Sequence, residues 1–311
     1  MLRLKALTTT NTVMPNKRAD DMRWTALVLL ITGMVFSVLT GCSTSKLAVG
    51  AMGPILENSK TAALASNDIR TFNAATPSSL FLLEGLIETD PKRTDLRLSA
   101  AMLYFSYAFT FDEPEDEPYA SSLYLRGLGH AETVLLRNKK LADTWDKPFD
   151  EFTQGLDAVT EKDLEALVWT VANWSQFIAL HLDSTQVLTQ IPRVTALLDR
   201  TIEIDGTYFE GLPYMILGSL HAFRPPMMGG DPDASRDNFT EAMKVSDGKF
   251  LLASYLYAKF YCYRVQDPDE FEESLQFVIA QPDTVLPDYQ LLNAIAKQKA
   301  VTLLEEKDEL F

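Results

Sequence analysis

The stretch Tyr208–Gly248, YFEGLPYMILGSLHAFRPPMMGGDPDASRDNFTEAMKVSDG, predicts two helices joined by an unusual connection. Four residues of its first half recur at spacings of three, one and three: Tyr214, Leu217, Gly218 and His221. Residues at these spacings lie along one face of an α-helix. The first half is therefore predicted to be a helix with one packed face.

The second helix has a clear start and a packing stripe. Asp231 is suited to the N-cap and Pro232 to the first helical position, where the missing proline N–H has no cost. Small, aromatic and small side chains then follow at i, i+4 and i+7: Ser235, Phe239 and Ala242. A small residue lets a neighbouring helix come close while the aromatic ring fills the space beside it, so we expect an antiparallel hairpin. Asp247-Gly248 suits the C-terminal end of this second helix, where a residue with left-handed backbone conformation commonly stands.

This pattern resembles the tetratricopeptide repeat, which carries Leu-Gly in its first helix and small-x-x-x-aromatic-x-x-Ala in its second. The segment from Phe223 to Gly230 departs from the repeat, because it is longer than a short hairpin turn and Pro225-Pro226 cannot continue a helix. We interpret this segment as an insertion. The resemblance implies an all-α fold, a tetratricopeptide-like solenoid of antiparallel helix hairpins.

Helical spacing of apolar residues continues through most of the chain, and no long stretch alternates with period two. We predict roughly four helix pairs, enough to stack as a solenoid. The all-helical domain is expected to cover residues 55–311, with a candidate sub-division near 143–160, where the pattern is less regular. Thr160 and Asp163 form a capping signal, and Asp267 is a predicted N-cap.

The insertion followed by its helix resembles the TatT family, the tetratricopeptide lipoproteins associated with TRAP transporters. Gly229-Gly230-Asp231-Pro232 carries the resemblance together with Phe239 and Ala242. It extends upstream to Ile191-Pro192-Arg193-Val194 and downstream through Tyr257-Ala258 to Asp267 and Phe271. The resemblance implies a groove or channel lined by inner helix faces, a homotrimer, and a partner that is the TRAP solute-binding protein of the periplasm.

The N-terminus predicts a secreted lipoprotein. Lys17, Arg18 and Arg23 precede an apolar run that ends in Leu39-Thr40-Gly41-Cys42. The run is too short for a comfortable membrane span, so residues 1–41 are expected to be a signal peptide. The ending resembles a lipobox, which implies cleavage before Cys42 and a diacylglycerol anchor on its thiol. An ordinary cleaved signal or an uncleaved anchor is the alternative.

Residues 42–54 are small and polar, and we expect them to form a flexible tether between lipid and fold. In lipoproteins of Gram-negative type, a residue other than aspartate after the cysteine permits transport to the outer membrane, and Ser43 stands there. The predicted location is therefore the periplasm, anchored by lipid to the outer membrane.

Charge and motifs exclude several functions. Removal of residues 1–41 reduces the basic residues from 28 to 23 and the acidic residues from 43 to 41, a net charge of about −18. A basic surface for nucleic acid is therefore not expected. The three histidines show no metal-binding spacing, and no catalytic signature follows a strand, so we predict no metal, no cofactor and no enzyme. Cys262 is expected to be a buried small hydrophobic residue.

Five residues are candidates for the lining of a ligand groove: Trp169, Trp174, Tyr214, His221 and Arg224. Aromatic faces with a few polar groups suit a small organic ligand, although such aromatics also form ordinary helix cores. Arg224 is the strongest candidate, because a cation beside a double proline normally faces water or a ligand carboxylate.

Gly229, Gly230 and Asp231 are candidates for contact with a partner. The two glycines can simply terminate the loop, or the helix N-terminus after them can hold an anion or a partner's carboxylate.

The resulting function prediction is an accessory lipoprotein of a TRAP transporter. It would dock the solute-binding subunit and hold or pass a small organic acid with a hydrophobic part. The alternative is a general tetratricopeptide scaffold lipoprotein for envelope or outer-membrane protein assembly, with no small ligand.

Overall fold

The computed structural model describes Thr25, residues 44–110 and residues 116–311. Apart from Thr25, the predicted signal peptide lies outside the described residues, and so does Cys42. Residues 49–311 form one compact unit, and the fold described below is that of this unit. Before it, Thr44–Ala48 is the first part of a helix.

The main helices of the described chain are α1 Thr44–Leu64, α2 Ile69–Thr89, α3 Thr94–Ala108, α4 Glu117–Leu135, α5 Leu164–Ala179, α6 Ile191–Asp205, α7 Tyr208–Ala222, α8 Pro232–Val245, α10 Pro268–Ala280 and α11 Gln290–Glu305. Between α8 and α10, three helical segments follow one another without a break and together form α9: Leu251–Leu256, a π-helical segment Tyr257–Cys262, and Tyr263–Val265. Shorter helices occupy Lys139–Ala142, Phe149–Leu156, Thr185–Leu188 and Lys307–Leu310.

Helices adjacent in sequence pack on one another from α2 through to α11. No strand occurs among the described residues. The all-α class is therefore confirmed, and the packing is that of helical hairpins. The stacking of the pairs into a solenoid stays a prediction.

The hairpin of α7 and α8 has the core that its sequence predicts. Ser235, Phe239 and Ala242 are fully buried. The Phe239 ring lies so close to Gly218 that a Cβ built there would lie 2.9 Å from its Cδ2. The Ser235 hydroxyl donates a hydrogen bond of 2.8 Å to the Gly218 carbonyl. Glycine is therefore required at position 218, because any larger side chain separates the helices.

The predicted caps are confirmed. Asp231 accepts a hydrogen bond from the Ala234 N–H at 3.0 Å, with Pro232 at the start of α8. Asp267 caps α10 by accepting from the Glu270 N–H at 3.0 Å. Each side chain satisfies a backbone donor that the first helical turn leaves unpaired.

The prediction of a flexible tether up to Pro54 was wrong for the described part of that segment. Helix α1 begins at Thr44, and Pro54 lies inside it. Val49 is buried in the core and Met52 packs against it. Burial of such an apolar face stabilises the helix despite its glycines and proline, whose local propensity alone indicated a linker.

Two further features were not predicted. At the start of α7, Phe209, Glu210 and Gly211 all have positive φ, and a Cβ on Gly211 would lie 3.3 Å from the Cα of Ala242. At the start of α9, the amide of the fully buried Asn293 accepts from the Leu251 N–H at 2.9 Å and donates to the Lys249 carbonyl at 3.0 Å. A residue of α11 therefore caps a helix far from it in sequence.

Candidate functional site

A cavity of about 280 Å³ lies beside the end of α7, and we name it the Arg224 cavity. Its lining includes His221, Arg224 and Gly229 from the α7 end and the insertion. Helix α6 contributes residues at i, i+3, i+4 and i+7: Pro192, Thr195, Ala196 and Asp199. This spacing puts one helix face against the cavity. Asp199 was not among the candidates from the sequence. The small and polar residues at helical spacing on this face of α6 are the sequence signal that could have pointed to it.

Arg224 contributes a permanent positive charge to this cavity. The side chain is half-buried, and its Nε atom is buried with no hydrogen-bond partner among the described residues. The backbone of Gly229 lies next to the guanidinium, since a Cβ there would lie in van der Waals contact with Nη1, at 3.5 Å. A buried donor without a partner is costly, so a ligand acceptor at this guanidinium would be stabilising.

Burial controls the charge of the two other ionisable groups. It lowers the pKa of the His221 imidazole, an effect that Asp231 and Asp199 oppose and Arg224 reinforces. Burial also raises the pKa of the Asp199 carboxyl, and the nearby His221 acts in the opposite direction by lowering it. Near neutral pH the cavity therefore contains a neutral imidazole and one arginine cation, with a carboxylate whose ionisation is disfavoured. Arg224 is therefore the fixed cation among these three groups, and it is the group that a small anion would contact.

We expect the wild type to lose stability relative to His221→Asn as the pH is lowered from 7.5 to 5.5. The folded-state pKa of His221 lies below the unfolded value of 6.5, so the unfolded chain binds a proton that the folded chain excludes. The contribution of His221 to stability is full above pH 6.5 and is lost as the pH falls toward the folded pKa. Thermal unfolding of both proteins at several pH values measures this. An unchanged slope in the variant would contradict it.

The insertion is a braced loop rather than an open connection. It contains a 3₁₀ turn at Pro226–Met228, which ends at Gly229 with φ +86°. The Gly230 N–H donates to the Pro225 carbonyl at 3.1 Å, and the Asp231 N–H donates to the His221 carbonyl at 3.0 Å. These bonds tie the base of the loop to the end of α7.

The glycines have conformational roles that match loop termination. Gly229 occupies the left-handed region, and Gly230 lies against the backbone of Arg224. At the helix N-terminus after them, the Asp231 carboxylate already accepts the Ala234 N–H. This donor is therefore occupied by the chain itself, and contact of Gly229, Gly230 and Asp231 with a partner stays a prediction.

Trp169 lines a different cavity, of about 310 Å³, together with Tyr208, Phe209 and Tyr289. Its indole is fully buried, and Nε1 has no hydrogen-bond partner among the described residues. The ring meets Phe209 edge-on, with centroids 5.4 Å apart. The left-handed backbone at Phe209 was invisible in the sequence, and it brings this ring to Trp169.

Trp174 and Tyr214 line neither cavity. The Trp174 Nε1 donates to the Gln190 amide oxygen at 2.6 Å, and Tyr214 packs over Gly206. The first contact is a hydrogen bond and the second is a packing contact. The structure thus brings His221 and Arg224 together beside Gly229, and it separates Trp169, Trp174 and Tyr214 from them, so the five candidates do not form one lining.

Cys262 is free and fully buried, as predicted. Within the described ranges, no group of three or more His, Cys, Asp or Glu side chains is arranged to hold a metal ion. In the same part of the chain, no helix has the length and apolar character needed to cross a bilayer.

The fold and the cavities define a helical-hairpin protein with small pockets beside a braced insertion. The model of the TRAP transporter T-component family matches residues 65–311, so the chain belongs to this family. The match covers the hairpins from the end of α1 to the C-terminus, including the insertion and the Arg224 cavity. A comparison with curated proteins gave no match. The family is one of transport components, which associates the chain with a TRAP transport system.

Proposed function

We propose that this protein is a lipid-anchored accessory component of a TRAP transporter. It docks the periplasmic solute-binding subunit and holds a small organic acid during transfer. The family match over residues 65–311 carries this proposal. In the same proposal, Cys42 bears the lipid, the anchor is in the outer membrane, and the protein acts as a homotrimer.

The insertion supports the docking role. Met227 lies at its 3₁₀ turn with 91% of its surface exposed. Because the loop is tied by backbone hydrogen bonds, the methionine is presented on a pre-organised backbone, which reduces the entropy lost on binding. An exposed apolar side chain on a fixed loop suits a protein contact, and methionine is adaptable in such contacts.

The Arg224 cavity supports the ligand role. A guanidinium can bind a carboxylate through two parallel hydrogen bonds, and its Nε is buried without a protein partner among the described residues. The volume of about 280 Å³ limits the ligand to a small molecule. Apolar lining from Phe149 and Ile191 fits the hydrophobic part of such an acid. A local cation is needed here because the whole chain has a net charge of −15.

Met227→Asp is expected to weaken the complex with the solute-binding protein of the same genome at least about tenfold, since a buried unpaired carboxylate replaces an apolar anchor. The complex of that protein with residues 43–311 is measured by light scattering over a range of concentrations. Leu125→Asp is the matched control, because Leu125 lies on α4 and is 46% exposed.

Equal weakening by both variants would contradict docking through the insertion. If wild type forms no complex at any salt concentration or with any added organic acid, the proposed transporter role fails. The search would then turn to assembly partners of an envelope scaffold.

A further inference from the structure

The cavity of about 310 Å³ that Trp169 lines is built from four parts of the chain, and we name it the Trp169 cavity. Its walls come from α1, α5, the start of α7 and the 3₁₀ turn Pro287–Tyr289 that precedes α11. It shares no lining residue with the Arg224 cavity. It is therefore a separate pocket, and its volume suits a small molecule.

Four aromatic side chains form much of the wall: Trp169, Tyr208, Phe209 and Tyr289. The Phe209 ring meets the Trp169 ring at 77°, with centroids 5.4 Å apart. It meets the Tyr289 ring at 79°, with centroids 5.0 Å apart. Rings that meet nearly at right angles form corners, and a cation is attracted to the faces of aromatic rings arranged as a cage. The wall therefore suits an organic cation.

The charged groups of the lining are mostly negative. Three are carboxylates, Glu57, Glu165 and Asp288, and Lys60 is the one cation among the described lining residues. Lys60 pairs with Glu57 at 2.7 Å, whereas Glu165 and Asp288 have no ion-pair partner in the described part of the chain. Burial raises the pKa of the Glu165 carboxyl, and Lys60 acts in the opposite direction. A bound cation would act as Lys60 does and favour the ionised carboxylate.

The two tyrosine hydroxyls lie in the field of these carboxylates. Burial raises the pKa of the Tyr208 hydroxyl, and Glu165 raises it further. Burial likewise raises the pKa of the Tyr289 hydroxyl, and Glu210 and Asp288 add to this effect. A carboxylate raises the pKa of a phenol when it lies near, because the two negative charges repel each other. The negative potential at the aromatic wall adds to the attraction of the rings for a cation.

Trp169 gives this wall an unsatisfied hydrogen-bond donor. The residue is 1% exposed, and its Nε1 has no hydrogen-bond partner among the described residues. A buried donor without an acceptor is costly. A ligand that carries a hydroxyl beside its cationic group would supply the missing acceptor.

Phe209 reaches the cavity from an unusual backbone conformation. Its φ and ψ are 49° and 55°, in the left-handed region. This region is uncommon for a bulky residue, and such conformations persist only where the surrounding structure holds them. The ring of Phe209 is thus placed in the wall by the packing around it, before any ligand arrives.

We propose that the Trp169 cavity binds a small quaternary ammonium compound that carries a hydroxyl group. The ammonium group lies against the rings of Trp169, Phe209 and Tyr289, near Glu165. The ligand hydroxyl accepts a hydrogen bond from the Trp169 Nε1–H. A quaternary ammonium group fits because ring faces bind it without hydrogen bonds. This site goes beyond the proposed function, which places an organic acid in the Arg224 cavity and needs no cation.

The test uses two probes of the same shape, choline and its neutral carbon analogue 3,3-dimethyl-1-butanol. Isothermal titration of the chain from Ser43 onward, which contains the compact unit 49–311, gives their affinities. We expect choline to bind at least about tenfold more tightly than the neutral analogue, because only choline has a charge for the rings and carboxylates to attract.

Variants separate the ring from the charge. Tyr289→Leu should weaken choline at least about tenfold, whereas Tyr289→Phe, which keeps the ring, should stay within about threefold of wild type. Glu165→Gln should weaken choline at least about threefold and leave the neutral analogue unchanged, since it removes a charge and keeps the shape. The use of two different positions keeps the test decisive if one variant fails to fold, which circular dichroism would show.

Glu273→Gln is the matched control for the loss of a carboxylate. Glu273 is exposed on α10 and does not line the cavity. This variant should leave choline binding unchanged, although it alters the net charge of the chain as Glu165→Gln does. Arg224→Gln should also leave choline binding unchanged, because Arg224 lies in the other cavity.

Three results would overturn the proposal: no binding of choline, equal affinities for choline and its neutral analogue, or wild-type affinity in both Tyr289→Leu and Glu165→Gln. Equal weakening by Glu165→Gln and Glu273→Gln would also overturn it, because the effect would then come from the net charge. None of these measurements depends on a solute-binding protein or on an organic acid, so this proposal and the proposed function can fail separately.

Discussion

Phe239→Ala is expected to lower the free energy of unfolding by about 3–5 kcal/mol. Phe239 is fully buried between α7 and α9, against Gly218 and with its ring 5.9 Å from that of Tyr257. Truncation removes the transfer free energy of the ring and leaves a cavity that the neighbouring helices cannot close. Collapse is restricted because the Ser235 hydroxyl already holds the Gly218 carbonyl at 2.8 Å.

Urea denaturation followed by circular dichroism at 222 nm measures this loss. Phe277→Ala is the control, because Phe277 is 42% exposed on α10 and its truncation should cost less than about 1 kcal/mol. A loss below about 1 kcal/mol for Phe239→Ala, or equal losses in the two variants, would mean that the small-aromatic-small stripe does not hold this hairpin.

Gly230→Ala is expected to disrupt the insertion and to weaken docking of the solute-binding protein. A Cβ at this position would lie 1.8 Å from the Arg224 carbonyl oxygen and 2.7 Å from its carbonyl carbon. Both atoms are backbone atoms, so no side-chain rotation relieves the clash. The loop must move, and the bonds that tie Gly230 to Pro225 and Asp231 to His221 are strained or lost. We expect destabilisation of about 1–3 kcal/mol and at least about tenfold weaker docking.

Gly85→Ala provides the control, since Gly85 lies inside α2 and no atom lies within 4 Å of the added Cβ. There, alanine should stabilise by up to about 1 kcal/mol, because glycine is a poor helix residue. Light scattering with the solute-binding protein and urea denaturation are measured on the same samples. If Gly230→Ala binds the solute-binding protein as tightly as wild type does, the geometry of the loop does not matter to the partner. The proposal that the insertion is the docking site would then be wrong.

Local signals in the sequence were sufficient for the α7 and α8 hairpin. The caps at Asp231 and Asp267 depend on side chains that act within one turn, and both are present. The stripe of Ser235, Phe239 and Ala242 depends only on helical period, and all three residues are buried. Family membership was also readable from the order of these motifs, which the family match confirms.

Local sequence signals failed to predict the structure where packing between residues distant in sequence determines it. Gly50, Gly53 and Pro54 indicated a linker, yet α1 begins at Thr44, because Val49 and Met52 pack in a core formed by other helices. The buried Asn293 gave no sequence signal of its role, since the N–H that it accepts belongs to Leu251 on another helix. Contacts of this kind have no fixed spacing along the chain.

The candidate site shows the same limit. The sequence identified Arg224 and His221, because a cation and a histidine stand beside an insertion at a helix end. It missed Asp199, which only the packing of α6 on α7 brings to the same cavity.

The sequence by itself determined the helical class, the hairpin around Phe239, the helix caps and the family, because each depends on the period and order of nearby residues. Tertiary structure alone decided which candidates share a cavity and that Asn293 of α11 caps the start of α9. The physical reason is that burial and pairing of charges depend on which helix faces meet, and this is set by the packing of the whole core.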